Sequence, residues 1–201
     1  MMNRLVRSSP LLAALAAAVL ALAACTGEAS QVSAPQGGGF ELVTPGGKTT
    51  FDYPVADRKS LGEISGPALT GDGRISVADY PNTVVVLNFW GSWCGPCRAE
   101  APLLASAATT LKSDGVQFLG INSRETDREN GADFDAVRAT PYPSIYDQQL
   151  RVLASIRGYP INAIPSTIVL DRQHRVAWIT ISPIANPADL TDAVRKIAAE
   201  T

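Results

Sequence analysis

The chain has 201 residues, with 17 Lys and Arg against 19 Asp and Glu, one His and three Cys, and a formal net charge of −2. That mild acidity, without a basic cluster, gives nucleic-acid binding no support. The length suits a single domain with one sizeable core once a short N-terminal segment is set aside.

The chain opens with MMNRLVRSSPLLAALAAAVLALAAC, where Arg4 and Arg7 precede an unbroken run of small apolar residues from Leu11 to Ala24. A helix over that run would rise only about 21 Å against a hydrocarbon core of about 30 Å, too short for a stable span. The pattern is that of a signal peptide over residues 1–24, and its two arginines are not adjacent, unlike a twin-arginine signal. Leu22-Ala23-Ala24-Cys25 resembles the lipobox of bacterial lipoproteins. The resemblance implies cleavage before Cys25, a diacylglyceryl group on its thiol, and a mature protein anchored on the outer face of the bacterial cell membrane. It also accounts for the odd one of three cysteines.

TGEASQVSAPQGGG follows, rich in Gly, Ser and Pro and without apolar periodicity. With Cys25 it makes a lipidated flexible tether over residues 25–39, with a reach of roughly 20 Å. The globular domain is expected over residues 40–201. Between Phe40 and Asn82, FELVT, TTFDYPV and RISVADY carry β-branched and aromatic residues, divided by Pro-Gly-Gly and by Thr70-Gly71-Asp72-Gly73. That predicts short strands, turns and an N-terminal β-hairpin.

TVVVLNFW, Thr83 to Trp90, is a continuous apolar run suited to a strand buried on both faces. CGPCRAEAPLLASAATTLKS predicts a helix with Leu103, Leu104, Ala107, Ala108 and Leu111 on one face, and VQFLGIN predicts the next buried strand. Strand, helix and strand form a βαβ unit. Asp127 to Ala139 reads as a helix with Phe134 and Val137 inward, ended by Pro141 and Pro143. Leu150 to Ile156 suits a short helix. STIVLD and RVAWITIS read as an antiparallel pair, with His174 as a solvated turn residue. Asn186 as N-cap, Pro187 at the first helical position and Asp189 in the first turn open a last helix, with Leu190, Val194 and Ile197 as its apolar stripe. The order predicts an α/β fold, a mixed central sheet flanked by helices.

The two remaining cysteines, Cys94 and Cys97, are two residues apart. A disulfide closing so small a loop would stabilise the fold by roughly 2 kcal/mol, less than half the figure for a 100-residue loop. As a metal site the pair offers two thiolates where a closed zinc site needs four ligands, and no second Cys-x-x-Cys exists. A reactive dithiol fits better. A strand ending at Trp90 would deliver Cys94 to the first turn of a helix, whose unpaired N–H groups and dipole favour the thiolate, the attacking species in disulfide exchange. Cys97, one turn on, is placed to resolve the mixed disulfide.

Trp93-Cys94-Gly95-Pro96-Cys97 is identical to the thioredoxin active-site pentapeptide, and VVVLNFWGSWCGPCRAEAP resembles the membrane-tethered ResA/TlpA/DsbE-like thiol-disulfide oxidoreductases. PYPSIYD (Pro141 to Asp147) and NAIPSTIVLD (Asn162 to Asp171) extend the likeness. It implies a thioredoxin-like fold with a Cys94–Cys97 redox disulfide, Cys94 as the exposed nucleophile and Cys97 as the more buried resolving thiol. Pro165 matches the cis-proline whose loop faces the dithiol, and Ile164 would offer backbone groups to an extended substrate. Glu100 matches an acid of ResA-like proteins, implied to lie beside the dithiol, raise the thiol pKa values and relay protons. Trp93 would line the docking surface. Asn88 stands where thioredoxin has a buried Asp, which removes that proton acceptor.

The resemblance implies exchange of dithiol for disulfide with partner proteins and no dissociable cofactor. Reduction of the haem-attachment cysteines of apocytochrome c during cytochrome c maturation, recharged by a membrane electron donor, is the leading expectation. Oxidation of exported proteins is the alternative direction. A carrier of Cu(I) on two thiolates is a reading from another class, weakened by a mature chain without Met or a His near the pair. A peroxidase would need Thr-x-x-Cys, where this chain has Gly91-Ser92-Trp93-Cys94.

Overall fold

The computed structural model describes residues 39–200. The expected signal peptide, Cys25 and all of the expected tether but Gly39 lie outside the described residues. Six strands form one mixed sheet: β1 (Thr50–Asp52), β4 (Val84–Trp90), β5 (Val116–Ser123), β6 (Ser144–Asp147), β7 (Ser166–Leu170) and β8 (Val176–Thr180), in the order β1-β8-β7-β4-β5-β6. β4, β5 and β6 run parallel, while β7, β8 and β1 pair antiparallel. The helices are α1 (Gly95–Leu111), α2 (Arg128–Arg138), α3 (Arg151–Ser155) and α4 (Pro187–Ala198).

Alternation along β4 explains its unbroken apolar sequence. Val84 and Val86 face one layer with Leu104, Ala107 and Leu111 of α1 and Leu190, Val194 and Ile197 of α4. Val85, Leu87 and Phe89 face the other, with Ile64, Val152, Leu153 and Ile156. Successive side chains of a strand point to opposite faces, so a strand covered on both sides has no position left for a polar residue without a partner. The one polar residue, Asn88, points toward α1 and donates to Glu100 there. α4 opens as its sequence implies, with the Asn186 side chain accepting from Ala188 N at 3.1 Å.

The N-terminal region departs from expectation in detail. Residues 40–44 form no strand; Glu41 makes only an isolated bridge to Arg157. Of TTFDYPV only Thr50–Asp52 is extended, and it completes the edge of the main sheet. Tyr53 N still donates to Ala177 O at 2.9 Å, and Pro54, which has no N–H to give a ladder, follows it. The hairpin is β2 (Ser65–Pro67) with β3 (Arg74–Ser76), closed around the 70–73 turn. It sits beside β6 through an Ala68–Ile145 bridge and a Leu69 N to Ser144 O bond of 2.7 Å. Arg128 of α2 clamps the turn by donating to the carbonyls of Ala68, Leu69 and Gly71.

Two further expectations are corrected. β6 was not foreseen between Pro141 and the short helix. Val137 does not face inward but is 84 % exposed. α2 approaches β5 at Gly131, where a Cβ would lie 2.9 Å from the Asn122 side chain. That contact fixes the helix so that Phe134 and Asp135 turn inward and Val137 falls outside.

Candidate redox site at the start of α1

β4 ends at Trp90, Gly91-Ser92-Trp93 turn the chain, and Cys94 becomes the N-cap of α1. Its Sγ accepts a hydrogen bond from Cys97 N at 3.2 Å, and Arg98 N donates to Cys94 O at 3.1 Å. The first N–H groups of a helix lack intrahelical partners, so a sulfur at the cap meets donors and the positive end of the dipole. Cys94 and Cys97 are joined as a disulfide, S–S 2.01 Å, with Cα atoms 5.2 Å apart.

The sequence suggested an exposed Cys94, yet it is 4 % exposed in this oxidised form and Cys97 3 %. Leu69 and Trp90 pack with the pair, and Ile164, Phe134 and Tyr146 close around them. Leu69 arrives from the β2–β3 hairpin, so the N-terminal extension supplies part of the wall. Ile164 precedes Pro165 through a cis peptide bond. Its own N–H is occupied by Asn162 O at 2.9 Å. Strand addition by a substrate at this residue would therefore run through its carbonyl.

Trp93 is 46 % exposed. Its ring folds over Gly91, where a Cβ would lie 2.4 Å from Nε1, and Nε1 donates to Ser123 O at 2.9 Å. The Arg124 guanidinium lies 5.8 Å from the ring centre. The indole is thus fixed by its polar edge and leaves an apolar face open beside the cysteines.

Glu100 is 4 % exposed. Oε1 accepts from Asn88 Nδ2 at 3.2 Å and Oε2 from Ile184 N at 3.0 Å. Burial pushes its carboxyl above the ordinary range, opposed by the hydrogen bonds from Ile184 and Asn88. Asn88 in turn contacts Thr167 Oγ1 at 3.3 Å, so the residue replacing the thioredoxin Asp links Glu100 to β7.

Glu125 escaped the sequence. It is buried, and its carboxylate accepts from Ser92 N at 2.5 Å, Ser92 Oγ at 2.9 Å and Asn122 Nδ2 at 2.9 Å. It pins the turn that presents Cys94 to the end of β5. Nothing local marks it, because Ser92 is 33 residues away. Among the described residues no three His, Cys, Asp or Glu gather as a metal site, and no helix is long and apolar enough to cross a membrane.

The AhpC/TSA family model matches residues 61–179. The chain is 29 % identical to the thiol-disulfide oxidoreductase ResA of Bacillus subtilis over 143 residues, 69 % of this chain and 78 % of that protein. It is 31 % identical to the ResA of Geobacillus kaustophilus over 133 residues, 66 % of this chain and 67 % of that one. A secreted thiol-disulfide isomerase from Corynebacterium glutamicum superposes with a TM-score of 0.79 at 39 % identity, covering 82 % of this chain and 100 % of that one. A DsbF homologue from Corynebacterium diphtheriae gives 0.73 at 38 % identity, covering 78 % and 98 %.

Proposed function

The chain belongs to the AhpC/TSA family of thioredoxin-like proteins, and from that membership we propose that it exchanges dithiol for disulfide with extracytoplasmic proteins, held at the membrane by lipid on Cys25. The observation that carries this reading is the Cys94–Cys97 disulfide at the N-cap of α1. In the reduced protein, Cys94 ionises against the helix N-terminus and the Cys97 N–H. The thiolate attacks a substrate disulfide and forms a mixed disulfide. Cys97 then attacks Cys94 Sγ and expels the substrate as a thiolate. Trp93 and the Ile164 carbonyl beside cis Pro165 receive the substrate, and Glu100 sets the electrostatics beneath the pair.

The physiological direction is reduction of partner disulfides, such as that of apocytochrome c during cytochrome c maturation, with electrons from a membrane donor. The likeness to the ResA proteins and a Gly-Pro pair between the cysteines support it. Oxidation of exported proteins is the second reading, favoured by the isomerase and the DsbF homologue among the solved relatives. The reduction potential of the Cys94–Cys97 couple separates the two. About −250 mV or lower marks a reductant, and a value near the −120 mV of DsbA an oxidant. A reduced protein that fails to cleave the disulfides of insulin in the presence of dithiothreitol defeats the reductase reading. Palmitate labelling lost in Cys25→Ser tests the anchor.

A further inference from the structure

A small pocket opens beside Cys97. Asn88, Ala101, Asp135, Thr140 and Tyr142 line it with Cys97, and Glu100 does not border it. About 10 Å³ is open to the centre of a water molecule, close to the minimum one water needs, and the lining offers the two to four polar partners such a water requires. Glu100 has both carboxylate oxygens turned to Asn88 and Ile184. The carboxylate that shares space with the resolving thiol is Asp135.

Asp135 is held there by a relay across the sheet. Trp90 Nε1 donates to Ser144 Oγ at 3.3 Å, and Ser144 Oγ reaches Asp135 Oδ2 at 3.5 Å. The Thr140 hydroxyl donates to the same side chain. Room for this relay depends on Gly120 of β5, where a Cβ would lie 2.1 Å from Ser144 Oγ and 2.6 Å from Trp90 Nε1. The sequence therefore leaves a side chain out of a central strand so that Trp90 and Ser144 can meet above it.

We propose that Asp135 is the proton acceptor for Cys97, exchanging the thiol proton through a water held in this pocket. The proposal rests on the exchange reaction inferred above and assigns its second step. The Cys97 thiol gives its proton to the water, which passes one to the Asp135 carboxylate. The sulfur electron pair so freed forms the bond to Cys94 Sγ. The bond between Cys94 and the substrate sulfur breaks, and its electron pair leaves on the substrate. In the reverse direction Asp135 returns the proton as Cys97 is reduced.

The chemistry of the pocket matches this role. Burial pushes the Asp135 carboxyl up to about 6, against the hydrogen bonds from Thr140 and Ser144 that lower it. It is then largely ionised at neutral pH, yet closer to a thiol in proton affinity than an ordinary aspartate, as an efficient general base should be. The titratable groups that share its pocket are Cys97 from α1 and Tyr142 from the connection into β6, and Glu100 of α1 acts on Tyr142 from outside it. The Tyr142 phenol is kept protonated by burial and by the nearby Asp135 and Glu100 carboxylates. On its own helix Arg138 is turned to Phe134, its guanidinium 5.1 Å from that ring.

The test uses the reduced full-length protein in detergent and Ellman's disulfide, which releases one thionitrobenzoate when Cys94 attacks and a second when Cys97 resolves. The wild-type rate of the second release should inflect near the Asp135 value of about 6. Asp135→Asn should abolish the inflection and slow the second release at least about tenfold at neutral pH, with the first release within about twofold of wild type. Ala101→Leu, which fills the pocket and keeps the carboxylate, should reproduce the loss and decides the matter if Asp135→Asn does not fold. An unchanged second release in these variants, or equal slowing of both releases, overturns the role of Asp135 while leaving the exchange reaction intact. A wild-type protein that gives no second release overturns the exchange reaction itself.

Discussion

The Glu100 Oε2 atom accepts a hydrogen bond from the backbone N of Ile184 at 3.0 Å, tying the helix that bears the cysteines to the segment between β8 and α4. Its other oxygen holds Asn88 of β4. One carboxylate thus joins three elements around the dithiol, and its protonation state is felt by all of them.

Burial raises the folded-state pKa of Glu100 above the ordinary carboxylate value. A carboxyl raised on folding contributes stability at acid pH, and loses it as pH climbs from the unfolded value through the folded one. Glu100→Gln removes that dependence. The wild-type advantage in Tm over Glu100→Gln should be largest at acid pH and shrink toward neutrality. Thermal melts of the oxidised proteins across pH read it directly. The same ionised carboxylate disfavours nearby thiolates, so iodoacetamide labelling of reduced Glu100→Gln should shift to lower pH. A flat Tm difference and an unmoved labelling profile would reduce Glu100 to a packing role.

Replacing either sulfur separates the steps of exchange. Cys94→Ser should abolish insulin reduction, since it removes the sulfur held at the N-cap of α1 against the Cys97 N–H and leaves only Cys97, set inside the first turn. Cys97→Ser should retain the first attack and accumulate a mixed disulfide with substrate, because nothing resolves it. Intact-mass spectra after mixing with a disulfide-bonded protein show the adduct. Adducts on the Cys94→Ser variant at a comparable rate would reverse the assignment of nucleophile and resolving thiol.

The elements around this pair were legible because their signals are local. Seven consecutive apolar-dominated residues gave β4, Cys-Gly-Pro-Cys gave the start of α1, and Asn186-Pro187 gave the start of α4. β6 was not, since its four residues, Ser144–Asp147, follow two prolines and show no alternation long enough to count. Val137 misled for a related reason. An apolar residue on a short amphipathic helix reads as inward until the position of the helix is fixed by Gly131 against Asn122. Glu125 and Asp135 became visible only in three dimensions. Glu125 meets Ser92 33 residues away, and Asp135 lines one pocket with Cys97 of α1, whereas a lone acid near a helix end is more often turned to solvent.

Arg58 makes a buried ionic contact away from the site. It donates to Asp171 Oδ2 at 3.3 Å, to both carboxylate oxygens of Glu200 at 2.5 and 2.8 Å, and to Tyr53 O at 2.9 Å. Burial alone would raise Asp171, but hydrogen bonds from the backbone and guanidinium of Arg175 and from Arg58 outweigh it and hold the carboxyl below its usual range. Breaking a buried pair from one side costs about 3–5 kcal/mol. Since Arg175 stays with Asp171 at 2.8 Å, Arg58→Leu should cost about 3 kcal/mol, the lower end. A carboxyl depressed on folding stabilises above its unfolded pKa of about 3.9 and loses that contribution as pH falls through the folded value. The gap between wild type and Arg58→Leu in urea melts should therefore be full at neutral pH and narrow in acid.

Two glycines with nearly equal positive φ test how the N-terminal segment is seated. Gly158 has φ of +71°, and a Cβ there would lie 2.1 Å from Leu42 O. Leu42 N donates to Arg157 O at 2.9 Å and its side chain is buried in the core beneath β4, so the segment cannot retreat without losing both. Gly115 has φ of +73°, but a Cβ there meets nothing closer than the tip of Arg172 at 3.7 Å. Gly115→Ala should then show the conformational cost alone, about 1–2 kcal/mol. Gly158→Ala adds the displacement of packed backbone, another 1–3 kcal/mol or so. Equal losses in urea melts of the two variants would mean that residues 40–42 yield freely and take no part in holding the core closed. A larger loss at Gly158 makes this segment a strap across the face of the sheet opposite α1.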